Sequence, residues 1–99
     1  MSANTEFIFR IPGVYLKGTI KKTICDIDII HVDESKRRQG AGRKAVELFL
    51  DVARRCGAKR FRSLNGCGAM PGSVRFWESL GFEVGPENSG GFFPLKKKL

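Results

Sequence analysis

Residues 24–50, ICDIDIIHVDESKRRQGAGRKAVELFL, decide how the rest of the chain is read. The opening part is rich in β-branched residues and predicts a strand over residues 23–32. A basic, glycine-bearing turn follows, Arg37-Arg38-Gln39-Gly40-Ala41-Gly42, and opens directly into a predicted helix over residues 42–56. In that helix Val46, Phe49, Leu50 and Ala53 recur at i, i+3, i+4 and i+7 and make one apolar stripe. Asp51 and Arg55 can pair on its outer side, and Gly57 supplies a left-handed stop. A strand–turn–helix unit presents bare backbone N–H groups at a helix N-terminus, where an anion can sit. Glycines let phosphates approach the main chain closely, and Arg37, Arg38 and Arg43 add charge. An ordinary basic connector has the same composition, but this context favours a pyrophosphate cradle for a nucleotide-bearing cofactor.

Within the strand, simple alternation puts Ile24, Asp26, Asp28, Ile30 and Val32 on one face and Cys25, Ile27, Ile29 and His31 on the other. Both faces are apolar at the far end, which marks a central strand. Asp26 and Asp28 are either a solvated pair balancing Lys21 and Lys22 or a general base for an ammonium group. His31, the only histidine, is a rival base because an ordinary imidazole titrates near neutrality, but alternation places it on the opposite face, where it reads as a packing residue.

Further strands are predicted at residues 6–10, 14–21, 59–64, 82–84 and 91–96. Residues 65–72, NGCGAMPG, read as a glycine loop, Ser73 as an N-cap, and residues 74–80 as a short helix stopped by Gly81. Alternating strands and helices make an α/β or α+β domain with a mixed sheet.

Ninety-nine residues form one domain, 1–99. No apolar run approaches the roughly 20 residues that span a bilayer. The N-terminus lacks the charged and apolar regions of a signal peptide, so a cytoplasmic location is expected. Cys25, Cys56 and Cys67 form an odd set without CxxC spacing, which argues against disulfides and a zinc site. The net charge of +8 favours anionic partners, among them a polyphosphate cofactor.

Taken together, the motif Arg37-x-x-Gly40-x-Gly42 behind a strand ending at Val32 resembles the GNAT superfamily of acyl-CoA-dependent N-acetyltransferases. So does the downstream series of Leu64-Asn65, a glycine loop, and Val74-Arg75-Phe76-Trp77-Glu78-Ser79-Leu80-Gly81-Phe82. The resemblance covers residues 15–84 and is to miniature members. It implies a compact, mostly antiparallel mixed sheet with a central, splayed parallel strand pair and two flanking helices. It also implies acetyl-CoA as cosubstrate. Arg37, Arg38, Gln39, Gly40, Ala41, Gly42 and Arg43 would then surround the pyrophosphate. The main chain at Ile30 and Val32 would pair with the pantetheine arm and polarise the thioester carbonyl. Asn65 would hydrogen-bond the arm or order the loop, and Phe76 and Trp77 would wall the cofactor. Asp26 would be the general base, with Asp28 and Glu34 behind it.

Two departures from the family stand out. The chain leaves no room before Glu6 for the usual first strand and the two helices that roof the acceptor site. Trp77 occupies the position where many members carry a proton-donating tyrosine, and an indole N–H cannot act as an acid near neutrality. The implied activity is transfer of an acetyl group to a primary amine by direct attack, with a protein lysine or N-terminus as acceptor. Nothing nearby in sequence activates Cys67 as a nucleophile. No membrane partner is expected, and a homodimer stays open. The rival readings are a non-catalytic CoA-binding module and a basic nucleic-acid-binding domain. The second would use Arg54, Arg55, Lys59, Arg60, Arg62 and the Lys96-Lys97-Lys98 tail, but these lack a recognised motif.

Overall fold

Tight turns at Gly13 and Lys22, both at positive φ (85° and 56°), fold the N-terminal third into an antiparallel meander. Its strands are β1 (Thr5–Ile11), β2 (Val14–Lys21) and β3 (Ile24–Val32). The computed structural model describes residues 5–67 and 72–99. The expected glycine-loop residues 68–71 lie outside the described part, as do the side chains of Arg37, Arg38, Gln39, Asn65 and Cys67.

A 3₁₀ turn at Glu34–Gln39 follows β3, and helix α1 runs Ala41–Arg55. Then come β4 (Arg60–Cys67), α2 (Ser73–Ser79), β5 (Glu83–Val84) and β6 (Phe93–Lys98). The six strands form one sheet in the order β1-β2-β3-β4-β6-β5. Among the described residues only β3 and β4 pair in parallel, because α1 carries the chain across between them. Their ladder pairs are Ile24 with Arg60 and Cys25 with Phe61. Beyond these the two strands make no further ladder pairs among the described residues, so the middle of the sheet splays open.

The apolar stripe of α1 does what its spacing implies: Val46, Phe49, Leu50 and Ala53 are all buried against the sheet. A Cβ at Gly18 of β2 would collide with the edge of the Phe49 ring, so glycine lets the helix approach closely there. Helix α2 joins the same core. Trp77 packs edge-on against Phe82, and Phe82 packs edge-on against Phe61 of β4. Both helices therefore cover one face of the sheet. Across the other face run Tyr15, Lys17 and Thr19 of β2.

The alternation expected for β3 holds only as far as Ile27. Lys17 pairs with Ile29 and Gly18 with Ile27, so Asp28 is an extra residue, a β-bulge. The bulge reverses which residues face the core. Cys25 and Ile27 point inward before it, and Ile30 and Val32 pack on the core after it. Asp26, Asp28, Ile29 and His31 are left on the open face. The expected grouping of Ile30 and Val32 with the aspartates is thus corrected, and so is the placement of His31 on the opposite face from Asp26. Nothing in a period-two pattern announces an inserted residue.

Three end assignments also change; the closing strand expected at residues 91–96 runs Phe93–Lys98, so the lysine run belongs to the sheet. The N-cap of α2 is Gly72, at φ 84°, and Ser73 is the first helical residue without a capping side-chain bond. The strand expected to stop at Leu64 continues to Cys67, with a register shift against β6 between Ser63 and Cys67.

Candidate active site

Where α1 begins, Gly40 is left-handed (φ 73°), and a Cβ there would meet nothing within 4 Å. The first α-type bond runs from Lys44 N–H to Gly40 O, at 3.0 Å. Helix geometry leaves the amides of Ala41, Gly42 and Arg43 without an intrahelical acceptor, and the helix dipole adds positive potential there. A Cβ on Gly42 would lie 3.2 Å from Val32 Cγ2 and 3.5 Å from the Phe76 ring. This glycine therefore keeps open the cleft between β3, α1 and α2.

That cleft holds about 360 Å³ and is lined by Ile30, Val32, Gly40, Gly42, Arg43, Gly72, Ser73, Phe76 and Trp77. All of these except Gly72 and Ser73 are residues the sequence singles out for the cofactor, and the fold brings them together from separate segments. Ala41 is half-buried at the start of the same helix. Gly72 and Ser73 are additions; the sequence reads them as the last loop residue and a helix cap, with no role toward the cofactor. Trp77 is almost fully buried, edge-on to both Phe76 and Phe82 (ring centroids 5.1 and 5.0 Å apart). Arg43 does more than add charge. Its guanidinium donates to the Ser79 hydroxyl at 3.2 Å and pairs with Glu47 at 3.6 Å, which ties α1 to α2 beside the cleft.

On the open face the same splay makes a second cleft of about 480 Å³, lined by Ile24, Asp26, Ile27, Asp28, Arg62, Ser63 and Leu64. Asp26 Oδ1 is buried there with no hydrogen-bond partner among the described residues. Burial raises the Asp26 pKa above the ordinary carboxylate value. The charge of Asp28 pushes the same way, while the Ser63 hydroxyl and the Ile27 backbone amide oppose the shift. Asp28 itself is exposed and accepts a 2.7 Å bond from the Thr19 hydroxyl. His31 shares this face but pairs with Asp33 at 3.4 Å, five residues or about 16 Å along the strand from Asp26. Glu34 is exposed in the turn beyond β3. Ser63 had no sequence signal, because only the splay sets it against Asp26.

Cys25, next to Asp26 but on the core side, is a structural thiol. Burial, reinforced by the Asp26 charge and opposed by Arg54, pushes its pKa up to about 11. Among the described residues no cluster of His, Cys, Asp and Glu could hold a metal ion. No helix among them is long and apolar enough to cross a membrane.

Residues 8–82 match the model of the acetyltransferase (GNAT) family. The chain belongs to that family. It is an acyl-CoA-dependent acetyltransferase with acetyl-CoA as its cosubstrate. Solved structures agree on the GNAT fold. An acetyltransferase from Thermus thermophilus superposes with a TM-score of 0.77 at 18% identity, over 97% of this chain and 64% of its own. The PaiA N-acetyltransferase from Thermoplasma acidophilum, solved with coenzyme A, gives 0.75 at 15% identity, over 87% of this chain and 53% of its own. The anti-CRISPR protein AcrVA5 gives 0.70 at 22% identity, over 94% of this chain and 98% of its own. The chain thus spans about half of the Thermoplasma enzyme and nearly all of AcrVA5. No curated protein sequence matches it significantly.

Proposed function

We propose that this GNAT domain transfers an acetyl group to a primary amine on a protein, a lysine side chain or an N-terminus, by direct attack. The observation that carries the reading is the pair of clefts on opposite faces of one splay. One is lined by glycines, a helix N-terminus and aromatic walls; the other holds a partly desolvated carboxylate.

Acetyl-CoA supplies the acyl group as a reactive thioester. The residues of the first cleft suit its anionic and extended parts. The amides around Gly40–Arg43 offer donors for a pyrophosphate. Gly42 keeps the approach clear, and Phe76 and Trp77 give an apolar wall. Ile30 and Val32 lie at the edge of β3 that faces the splay, where backbone groups can hold an extended arm and place an N–H at the developing oxyanion. Asp26 takes the proton from an incoming ammonium, since an amine attacks only when neutral. A raised pKa brings a carboxylate closer to that task. Asp28, held by Thr19, adds negative potential that draws the ammonium in. The open face carries Ile29 and Leu64 exposed beside the cleft, which leaves space for a macromolecular acceptor.

The test combines binding and turnover. Acetyl-CoA should raise the melting temperature by mass action, and pantetheine, which lacks the pyrophosphate, should do so much less. Lysine peptides and free N-termini should gain an acetyl group by mass spectrometry in the presence of acetyl-CoA. Equal thermal shifts from both ligands would contradict the phosphate cradle. Absence of acetylation on every protein amine tried would refute the protein-amine acceptor.

A further inference from the structure

The register of β4 against β6 sets like charges face to face. Arg60 lies opposite Lys98, and Arg62 lies opposite Lys96. All four are exposed and alternate with the buried Phe61 and Leu95, so they share the open face with Asp26 and Asp28. Directly opposed side chains have Cβ atoms about 5 Å apart, and like charges in that relation destabilise a sheet. Glu83 of β5 answers one of them, at 2.8 Å from Lys96. Among the described residues Arg60, Arg62 and Lys98 form no ion pair. A groove of about 740 Å³ runs along this block, lined by Lys59, Arg60, Arg62, Lys96, Lys97 and Lys98 among others. Arg62 belongs both to this groove and to the Asp26 cleft. The open face therefore carries a carboxylate-lined cleft directly beside a cation-lined one.

We propose that the Arg60–Arg62–Lys96–Lys98 block docks an acidic segment of the acceptor protein, so that the preferred amine has aspartates or glutamates close to it in the chain. This rests on reading the Asp26 cleft as the place where the amine arrives. An ammonium flanked by carboxylates matches both signs at once: the amine faces Asp26 and Asp28, and the carboxylates face the cations. Electrostatic complementarity of this kind sets partner choice and association rate. A nucleic acid fits less well. Asp26 and Asp28 would repel phosphates at the adjoining cleft, and the aromatic residue between the two arginines, Phe61, is buried and cannot stack on bases.

The experiment uses the full chain with acetyl-CoA and three lysine peptides of equal length, flanked by Glu, Gln or Arg. A fourth peptide keeps the Glu flanks and replaces the lysine by alanine. Turnover is followed by mass spectrometry, and binding by fluorescence anisotropy at low and high salt. The Glu-flanked lysine peptide should have a KM lower than the Gln-flanked one by about tenfold, or 1.4 kcal/mol. That preference should fade with salt. The alanine version should still bind, and Arg60→Glu should abolish its binding and the KM advantage. The melting temperature of Arg60→Glu should hold or rise, because the new carboxylate faces Lys98, and its thermal shift with acetyl-CoA should match wild type. Binding of the acidic peptides without acetylation would sustain the docking block and remove the acceptor reading. Equal KM and binding for Glu and Gln flanks would overturn the docking proposal, whatever the turnover. So would a single-stranded oligonucleotide of equal charge that binds more tightly than the acidic peptide and loses affinity in Arg60→Glu.

Discussion

Asp26→Asn should make this protein more stable and less active, and the two effects should separate with pH. In the folded state Asp26 Oδ1 is buried without a hydrogen bond among the described residues, and Asp28 repels the ionised form. A buried, unsatisfied polar group costs about 1–3 kcal/mol. Asparagine has nearly the same shape, carries no charge, and can donate its amide to the neighbouring Ser63 hydroxyl. We take the low end, about 1 kcal/mol of relief, which for a domain of this size is about 4–8 °C in melting temperature. The sign of the pH dependence follows from the raised pKa of Asp26. The folded state holds this proton more tightly than the unfolded chain does. Its favourable contribution is therefore complete below the unfolded carboxylate pKa and is lost as pH rises through the folded value. The stability gain of Asp26→Asn should thus be full at neutral pH and shrink towards about pH 4, near the reference carboxylate value. Turnover should move the other way: loss of a general base costs about 100-fold or more in kcat/KM, close to 2.7 kcal/mol on the barrier. Calorimetry across pH and initial rates with a lysine peptide measure the two effects independently. A melting temperature that falls at neutral pH would refute the desolvation argument. An unchanged kcat/KM would move the base to Asp28, Glu34 or His31, or to solvent.

Gly42→Val should fold, since Gly42 is not at positive φ, but the added atoms enter the cleft beside Val32 and Phe76; acetyl-CoA affinity measured by calorimetry should drop by at least about tenfold. Trp77→Tyr should not speed turnover by as much as tenfold, about 1.4 kcal/mol, because a CoA thiolate leaves tolerably without an acid; a larger rise in kcat, absent in Trp77→Phe, would show that a missing proton donor limits the reaction. Both Trp77 variants should melt earlier than wild type, since smaller rings leave a cavity against Phe76 and Phe82. Gly18→Val should destabilise by about 1–3 kcal/mol or more through overpacking against Phe49, read by urea unfolding, whereas the exposed Cys56 should react with a thiol reagent in the native state far faster than the buried Cys25.

Local pattern carried a great deal. The helix over residues 42–56 was legible because four apolar residues at helical spacing can bury together only as a helix, and α1 buries all four. The strand–turn–helix motif was legible because a left-handed glycine and a helix start leave short-range marks, and both appear at Gly40 and Ala41. Ile30, Val32, Gly42, Phe76 and Trp77, which the family resemblance implied for the cofactor, line one cleft. Tertiary structure alone decided the rest. The bulge at Asp28 comes from pairing with β2, with Gly18 opposite Ile27 and Phe49 packed over Gly18; no residue within β3 announces it. It puts Ile30 and Val32 on the side of the glycine-lined cleft and leaves Asp26 and His31 on the other. The splay that sets Ser63 and Arg62 beside Asp26 depends on where a parallel ladder stops, which is a property of two strands separated in sequence by the whole of α1. The facing of Arg60 with Lys98 and of Arg62 with Lys96 depends likewise on the β4–β6 register. Periodicity within a segment is set by its own side chains, whereas register and divergence between segments are set by the packing of the whole core.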